Sequence, residues 1–178
     1  MIKPVNKLTH SKREFAQTMV EFALVFPILL LITYGLIEFG RMVFIYAAVT
    51  GSAREAARYG AAAGNSGSGT PYYADCDGIR NAVHSTAFLV TIPDEDIDIN
   101  YDAGPGLAEI EPTCEDLATD VSNDADPIEL GDRIIVHVIA QYEPVIGGFL
   151  GVSGFPLNAE NARTILVNIP MPYSNPNP

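Results

Sequence analysis

Hydrophobic and polar positions alternate in three different ways along the chain. From Phe22 to Ile37 sixteen residues pass without a charge, and the apolar side chains fill every helical position instead of one stripe. A helix that is apolar all round is buried or crosses a membrane. Counted from Thr18 to Ile37, the run reaches the roughly 20 residues that a spanning helix needs, but only with Glu21 inside it. Pro27 also lies within it and removes the hydrogen bond to the carbonyl of Ala23, so a local loosening is expected there.

The second regime is "EFGRMVFIYAAVTGSAREAARYGAAAG", rich in helix formers and free of turn signals until Gly64-Asn65-Ser66-Gly67-Ser68-Gly69. The two regimes predict one helix from Phe15 to Ala63, about 73 Å long at 1.5 Å per residue. That is more than twice the thickness of the hydrocarbon layer, about 30 Å, so the first half sits in lipid and the second must meet protein. The small residues Ala47, Ala48, Gly51, Ser52, Ala53, Ala56, Ala57, Gly60 and Ala61 suit close packing against another element. They equally suit a helix selected for propensity alone. Glu38 with Arg41, and Glu55 with Arg58, stand three apart and can pair on one face.

In the third regime the period shifts. "CDGIRNAVHSTAFLV" spaces Ile79, Val83 and Phe88 as a short helix. "DEDIDINYDAGPG" sets Ile97, Ile99 and Tyr101 against Asp96, Asp98, Asn100 and Asp102, the alternation of a half-exposed strand. "DRIIVHVIAQYEP" and "ARTILVNIP" are β-branched runs ended by proline and read as the two strongest strands. Between them "VIGGFLGVSGFPL" either fills the edge of the core or offers Phe149, Leu150 and Phe155 to a neighbour. The tail "IPMPYSNPNP" is proline-rich and extended. The predicted class is α+β: a long N-terminal helix whose second half packs on a small antiparallel sheet. The predicted divisions are a basic segment 1–16, a helix 17–63 that spans the membrane over about 18–40, an exported head 64–170 and a tail 171–178.

Charge sharpens this picture. The net charge of -12 is uneven. Before Gln17 stand Lys3, Lys7, Lys12 and Arg13 against Glu14, and from Gly64 onward eighteen acidic residues face three arginines. The positive-inside rule places the N-terminus in the cytoplasm and the acidic head outside. Such a head repels nucleic acid, and no cluster of bases offers a phosphate footprint. Cys76 and Cys114 both fall in the exported part, where a disulfide is permitted; the alternative is two buried thiols.

Candidate chemistry is sparse. Asp94, Asp96, Asp98, Asn100 and Asp102 suggest calcium, but a helix-loop-helix site starting at Asp96 would place Tyr101 where Gly is needed and Leu107 where Glu is needed. An irregular site there, or at Asp124, Asp126, Glu129 and Asp132, is the alternative to a solvated acidic face. His84 and His137 are isolated and read as structural residues, and no nucleophile elbow or phosphate loop occurs. Neither a cofactor nor catalytic residues are expected.

The segment "QTMVEFALVFPILLLITYGLIEFGRMVFIYAAVTGSAREAARYGA" resembles the N-terminal signature of TadE-like proteins, minor pseudopilins of tight-adherence (Flp type) pili. The resemblance rests on "VEFALVFP" and on "IEFGR" followed by "AREAARYGA"; "GDRIIVHVIAQYEPVIGGFLG" is a weaker cue. It implies a pilin-like head, a leader removed by a prepilin peptidase between Ala16 and Gln17, and Glu21 as the glutamate at the fifth mature position. Where the family usually has Gly before the cut, this chain has Ala16. The implied partner of Glu21 is the new α-amino group of Gln17 on a neighbouring subunit; a glutamate snorkelling to the cytoplasmic interface is the alternative. Glu21, Pro27, Glu38 and Arg41 thereby become candidate assembly residues. Other pilin subunits, the peptidase, an assembly platform and the inner membrane become the expected partners. An unprocessed single-pass protein with a ligand- or partner-binding head is the competing reading.

Overall fold

The computed structural model describes residues 8–88, 90–119, 128–145, 147, 151 and 153–166, with side chains from 15 onward except that of Ala16. The chain falls into two compact units, Met1–Met42 and Val43–Pro178, and the first helix, α1 (Leu8–Gly60), contributes to both.

In the first unit α1 is exposed on every side from Gln17 through Thr33, Met19, Phe22, Leu24, Ile28 and Leu31 included. Phe22 stacks on Phe26 one turn later, with ring centroids 5.2 Å apart. The Thr33 hydroxyl donates to the Leu29 carbonyl at 2.8 Å and so carries no unmet polarity on the helix surface. Pro27 stands inside the helix, as its position in the apolar run predicts.

In the second unit the remainder of α1 becomes one-sided. Ile45, Val49, Ser52, Ala53, Ala56, Ala57, Gly60 and Ala61 are buried, at spacings of three and four, while Arg54 and Arg58 face solvent. From Ser52 onward the small residues are therefore a packing face that propensity alone does not explain, whereas Ala47 is exposed. Ile45 and Val49 contribute about 2 kcal/mol each by burial. Ser52 is buried without penalty because its hydroxyl donates to the Val49 carbonyl at 2.8 Å. Gly60 marks the closest approach: a Cβ there would lie 2.4 Å from Ile134 Cδ1 and 3.2 Å from Ile79 Cδ1. The helix ends at Gly60, slightly before the expected Ala63, with Ala62 N–H bonded to Tyr59 O and Gly64 in the left-handed region at φ +94°.

A 3-10 turn (Tyr72–Ala74) leads to α2 (Cys76–Thr86). Asp75 caps α2, accepting from Gly78 N at 3.1 Å. Ile79 and Val83 face inward as predicted. Phe88 does not join them, because α2 stops at Thr86 and Ala87 fills the interior, leaving Phe88 80% exposed.

After a 3-10 turn at Asp94–Asp96 come β1 (Ile97–Asp102), β2 (Glu109–Ile110), α3 (Cys114–Thr119), β3 (Arg133–Tyr142) and β4 (Phe155–Thr164). They form an antiparallel sheet in the order β2-β1-β3-β4. Ile97, Ile99, Tyr101, Ile134, Val136, Val138, Ala140 and Tyr142 line its inner face and are buried. A long helix beside a small antiparallel sheet is the α+β class expected from the sequence.

Two expectations need correction. The last strand is not "ARTILVNIP": β4 begins at Phe155 and ends at Thr164, with Ile165 just beyond it, fully buried and bonded through its N–H to Asp132 O at 2.8 Å. Pairing decides this, since β3 offers ten positions from Tyr142↔Phe155 to Arg133↔Thr164, and that ladder overrides the weak strand propensity of "NAEN". Phe155 opens β4 instead of lying in an apolar loop and is 40% exposed, so it does not fill the core. Phe149, Leu150, Asp124, Asp126 and the tail 171–178 lie outside the described residues.

Candidate subunit-assembly helix

Two carboxylates interrupt the apolar surface of α1, and they are treated differently. Glu38 accepts a hydrogen bond from Tyr34 OH at 3.1 Å and one from Arg41 Nη1 at 2.8 Å, both from its own helix. Tyr34 at i-4 and Arg41 at i+3 share its face. The group neutralises itself, so Glu38 needs no outside cation to lie against lipid. Tyr34 is the member that the charge pattern does not reveal; its place four residues before Glu38 is the only sequence signal.

Glu21 has no comparable partner among the described residues. It accepts from the Gln17 side-chain amide at 3.4 Å, a long bond from a neutral donor. Both side chains are exposed. Ala16 lies in the helical backbone next to Gln17. The uncharged stretch, Phe22 to Ile37, is bounded by Glu21 at one end and the Tyr34–Glu38–Arg41 group at the other, and at 1.5 Å per residue Glu21 and Arg41 are about 30 Å apart along the axis, the thickness of a hydrocarbon layer.

In the second unit polar groups act as fasteners. Cys76, at the start of α2, and Cys114, at the start of α3, are joined with Cα atoms 5.9 Å apart. Thr113 and Asp116 cap α3 reciprocally: the Thr113 N–H and hydroxyl donate to the Asp116 carboxylate, at 3.1 and 2.7 Å. Those bonds hold the Asp116 carboxyl below its usual range. Arg80 of α2 forms an ion pair with Glu115 of α3, and its hydrogen bond lowers the Glu115 carboxyl. Around this pair opens a cleft of about 330 Å³ whose rim includes Ser68, Asp75 and Thr119. Tyr59 near the end of α1 donates to Asp75 Oδ2 at 2.7 Å, and that bond, with burial, pushes the phenol up to about 12.

The acidic run does not form one cluster. Asp94 meets His84 at 2.8 Å, Asp98 meets His137 at 3.6 Å across the β1–β3 pair, and Asp102 is held by Arg133. Asp102 corrects the alternation, which places it in solvent: it is 4% exposed, beneath the Arg133 side chain that lies directly opposite on β3. Asp132 is also buried and accepts from Glu129 N–H at 2.7 Å.

Comparison with known proteins bears on α1 alone. Residues 16–58 match the family model described as TadE-like protein, which covers the apolar stretch, both glutamates and most of the small-residue face. No curated protein and no solved structure matches the chain. Among the described residues one helix, over Gln17–Gly60, is long and apolar enough to cross a membrane by length and composition.

Proposed function

We propose that this chain is a structural subunit, a pseudopilin, of a tight-adherence type pilus, anchored in the inner membrane by α1 with its head outside until it joins a filament. The match of residues 16–58 to the TadE-like model supports a pilus-related protein with a membrane-anchoring helix. The observation that carries the finer reading is the contrast between the two glutamates. Glu38 is matched within its own helix, whereas among the described residues Glu21 has only the Gln17 amide at 3.4 Å. A carboxylate left at membrane depth costs about 3 kcal/mol on insertion scales and is retained where a partner will arrive.

Cleavage between Ala16 and Gln17 would create that partner. The freed α-amino group of one subunit meets Glu21 of the next as helices stack, which cancels two charges and sets their axial register. The chain's own part is mechanical: α1 inserts, Glu21 registers, the small-residue face carries the head. The prepilin peptidase, other pilins and an assembly platform are the partners of this reading.

The test is the N-terminal sequence of the protein from its native membrane and from sheared filaments. A start at Gln17 in both is expected. A start at Met1, with nothing in the sheared fraction, would overturn processing and leave an unprocessed single-pass protein with a partner-binding head, the reading that Ala16 in place of Gly favours.

A further inference from the structure

The two ends of the second unit differ in character, and two ladders of contacts show which end is which. On α1, Gly60 sits against Ile134 and Ile79, and a Cβ added at Gly51 would lie 3.7 Å from Thr86 Cγ2 at the far end of α2. Val43, where the chain enters this unit, is about 12 Å further back at 1.5 Å per residue. On the sheet, β3 starts beside Gly60 with Ile134; Val138 then pairs with Ile97, just after the Asp94 that His84 of α2 contacts. Tyr142 is about 13 Å beyond Val138 at 3.3 Å per residue. Both ladders run in the same sense, so Tyr142 and Val43 lie at one end.

That end carries exposed apolar side chains, beside the exposed Gln141 and Glu143. Phe44, Tyr46, Val145 and Phe155 are 69, 53, 70 and 40% exposed. They come from three segments: α1, the turn after β3 and the start of β4, where the Phe155 ring lies 5.3 Å from that of Tyr142. Single exposed apolar side chains are ordinary. Four gathered where the chain leaves a stretch apolar enough to span a membrane are not scattered.

We propose that this end is a lipid-facing footing, in which Phe44, Tyr46, Val145 and Phe155 enter the interfacial layer of the bilayer that α1 crosses. The proposal rests on reading α1 as a membrane anchor. Aromatic rings favour that layer, and a surface-seated apolar face typically enters about 5–10 Å into it. The footing holds the head on the membrane before assembly, and joining a filament lifts these side chains out of lipid.

The chain has no tryptophan, so single reporters are clean. Val145→Trp, Phe155→Trp, Leu130→Trp beside the opposite end of β3, and Leu30→Trp within the apolar stretch would each be made in the full chain. Each is reconstituted in phosphatidylcholine–phosphatidylglycerol vesicles with and without brominated acyl chains. V145W and F155W are expected to lose about half of their fluorescence to brominated lipid, as interfacial depth requires, L30W more, and L130W none. Quenching of L30W with V145W and F155W as unaffected as L130W overturns the footing and leaves the anchor standing. An unquenched L30W removes the anchor and the footing together. A blue shift of V145W that depends on protein density, without quenching, assigns this end to a second copy and also overturns the footing.

Discussion

The carboxylate of Asp102 on β1 is gripped by the guanidinium of Arg133, its cross-strand neighbour on β3, and also accepts the Gly104 N–H at 3.1 Å. One acid thus closes the sheet end and the turn that follows it. Replacing Asp102 by Ala leaves these donors unmet in a buried site, and unfolding of the full chain in detergent is expected to cost about 1–3 kcal/mol less. Urea titration followed by tyrosine fluorescence measures it; an unchanged midpoint refutes the role.

The same pair sets an acid response. The Arg133 hydrogen bond lowers the Asp102 carboxyl below its usual value, outweighing the opposing effect of burial. A depressed folded pKa contributes stability that is present above the unfolded value, about 3.9, and is lost as pH falls through the folded one. Wild type should therefore lose stability below about pH 4 more steeply than Asp102→Asn, which cannot titrate. Parallel curves of midpoint against pH would contradict this.

Tyr59 behaves in the opposite sense. Its phenol, donating to Asp75, is raised to about 12, so the stability it contributes is present below the ordinary tyrosine value, about 10, and is lost as pH rises through about 12. Of the eight tyrosines, Tyr59 should ionise among the last. Tyr59→Phe should remove a late component from the ultraviolet titration and lower stability by about 1 kcal/mol. Loss of an early component instead would show that the bond does not form in solution.

The Cys76–Cys114 link closes a loop of sequence separation 38 and ties α2 to α3. The chain-entropy relation gives about 4 kcal/mol for a loop of that size. The double variant Cys76→Ser, Cys114→Ser should show a correspondingly lower urea midpoint, with α1 helicity by circular dichroism retained. No change in midpoint would mean that the cap on α3 and the Arg80–Glu115 pair hold this corner alone.

What could be read in advance depended on whether a residue's role was local. The long helix, expected over 15–63 and found over 8–60, β1 and β3 follow from composition and period, which are properties of neighbouring residues. Propensity places the last strand too late, since "ILV" after Thr164 is the stronger β-former, while the position of β4 is dictated by ten partners on β3. Alternation puts Asp102 in solvent because it identifies a face of a strand, and here the Arg133 side chain covers that one position of the face. Glu21 and Glu38 look alike in sequence; only Tyr34 and Arg41, placed by the helix on the side of Glu38, separate them.

That separation makes the last prediction specific. Glu21→Ala removes a carboxylate that, among the described residues, is matched only by a long amide bond, so insertion should be unchanged or favoured by up to about 3 kcal/mol on insertion scales. If the carboxylate registers one subunit on the next, the variant should accumulate in the membrane and be depleted at least about tenfold from sheared filaments, the effect of about 1.4 kcal/mol per subunit contact. Glu38→Ala should act differently, since it strands the Arg41 guanidinium at the edge of the apolar stretch and weakens insertion of the anchor itself. Membrane fractionation and filament shearing of both variants distinguish the two. Normal filaments from Glu21→Ala would end the assembly role of that residue. A loss of filaments from Glu38→Ala with unaltered membrane levels would move the role to Glu38.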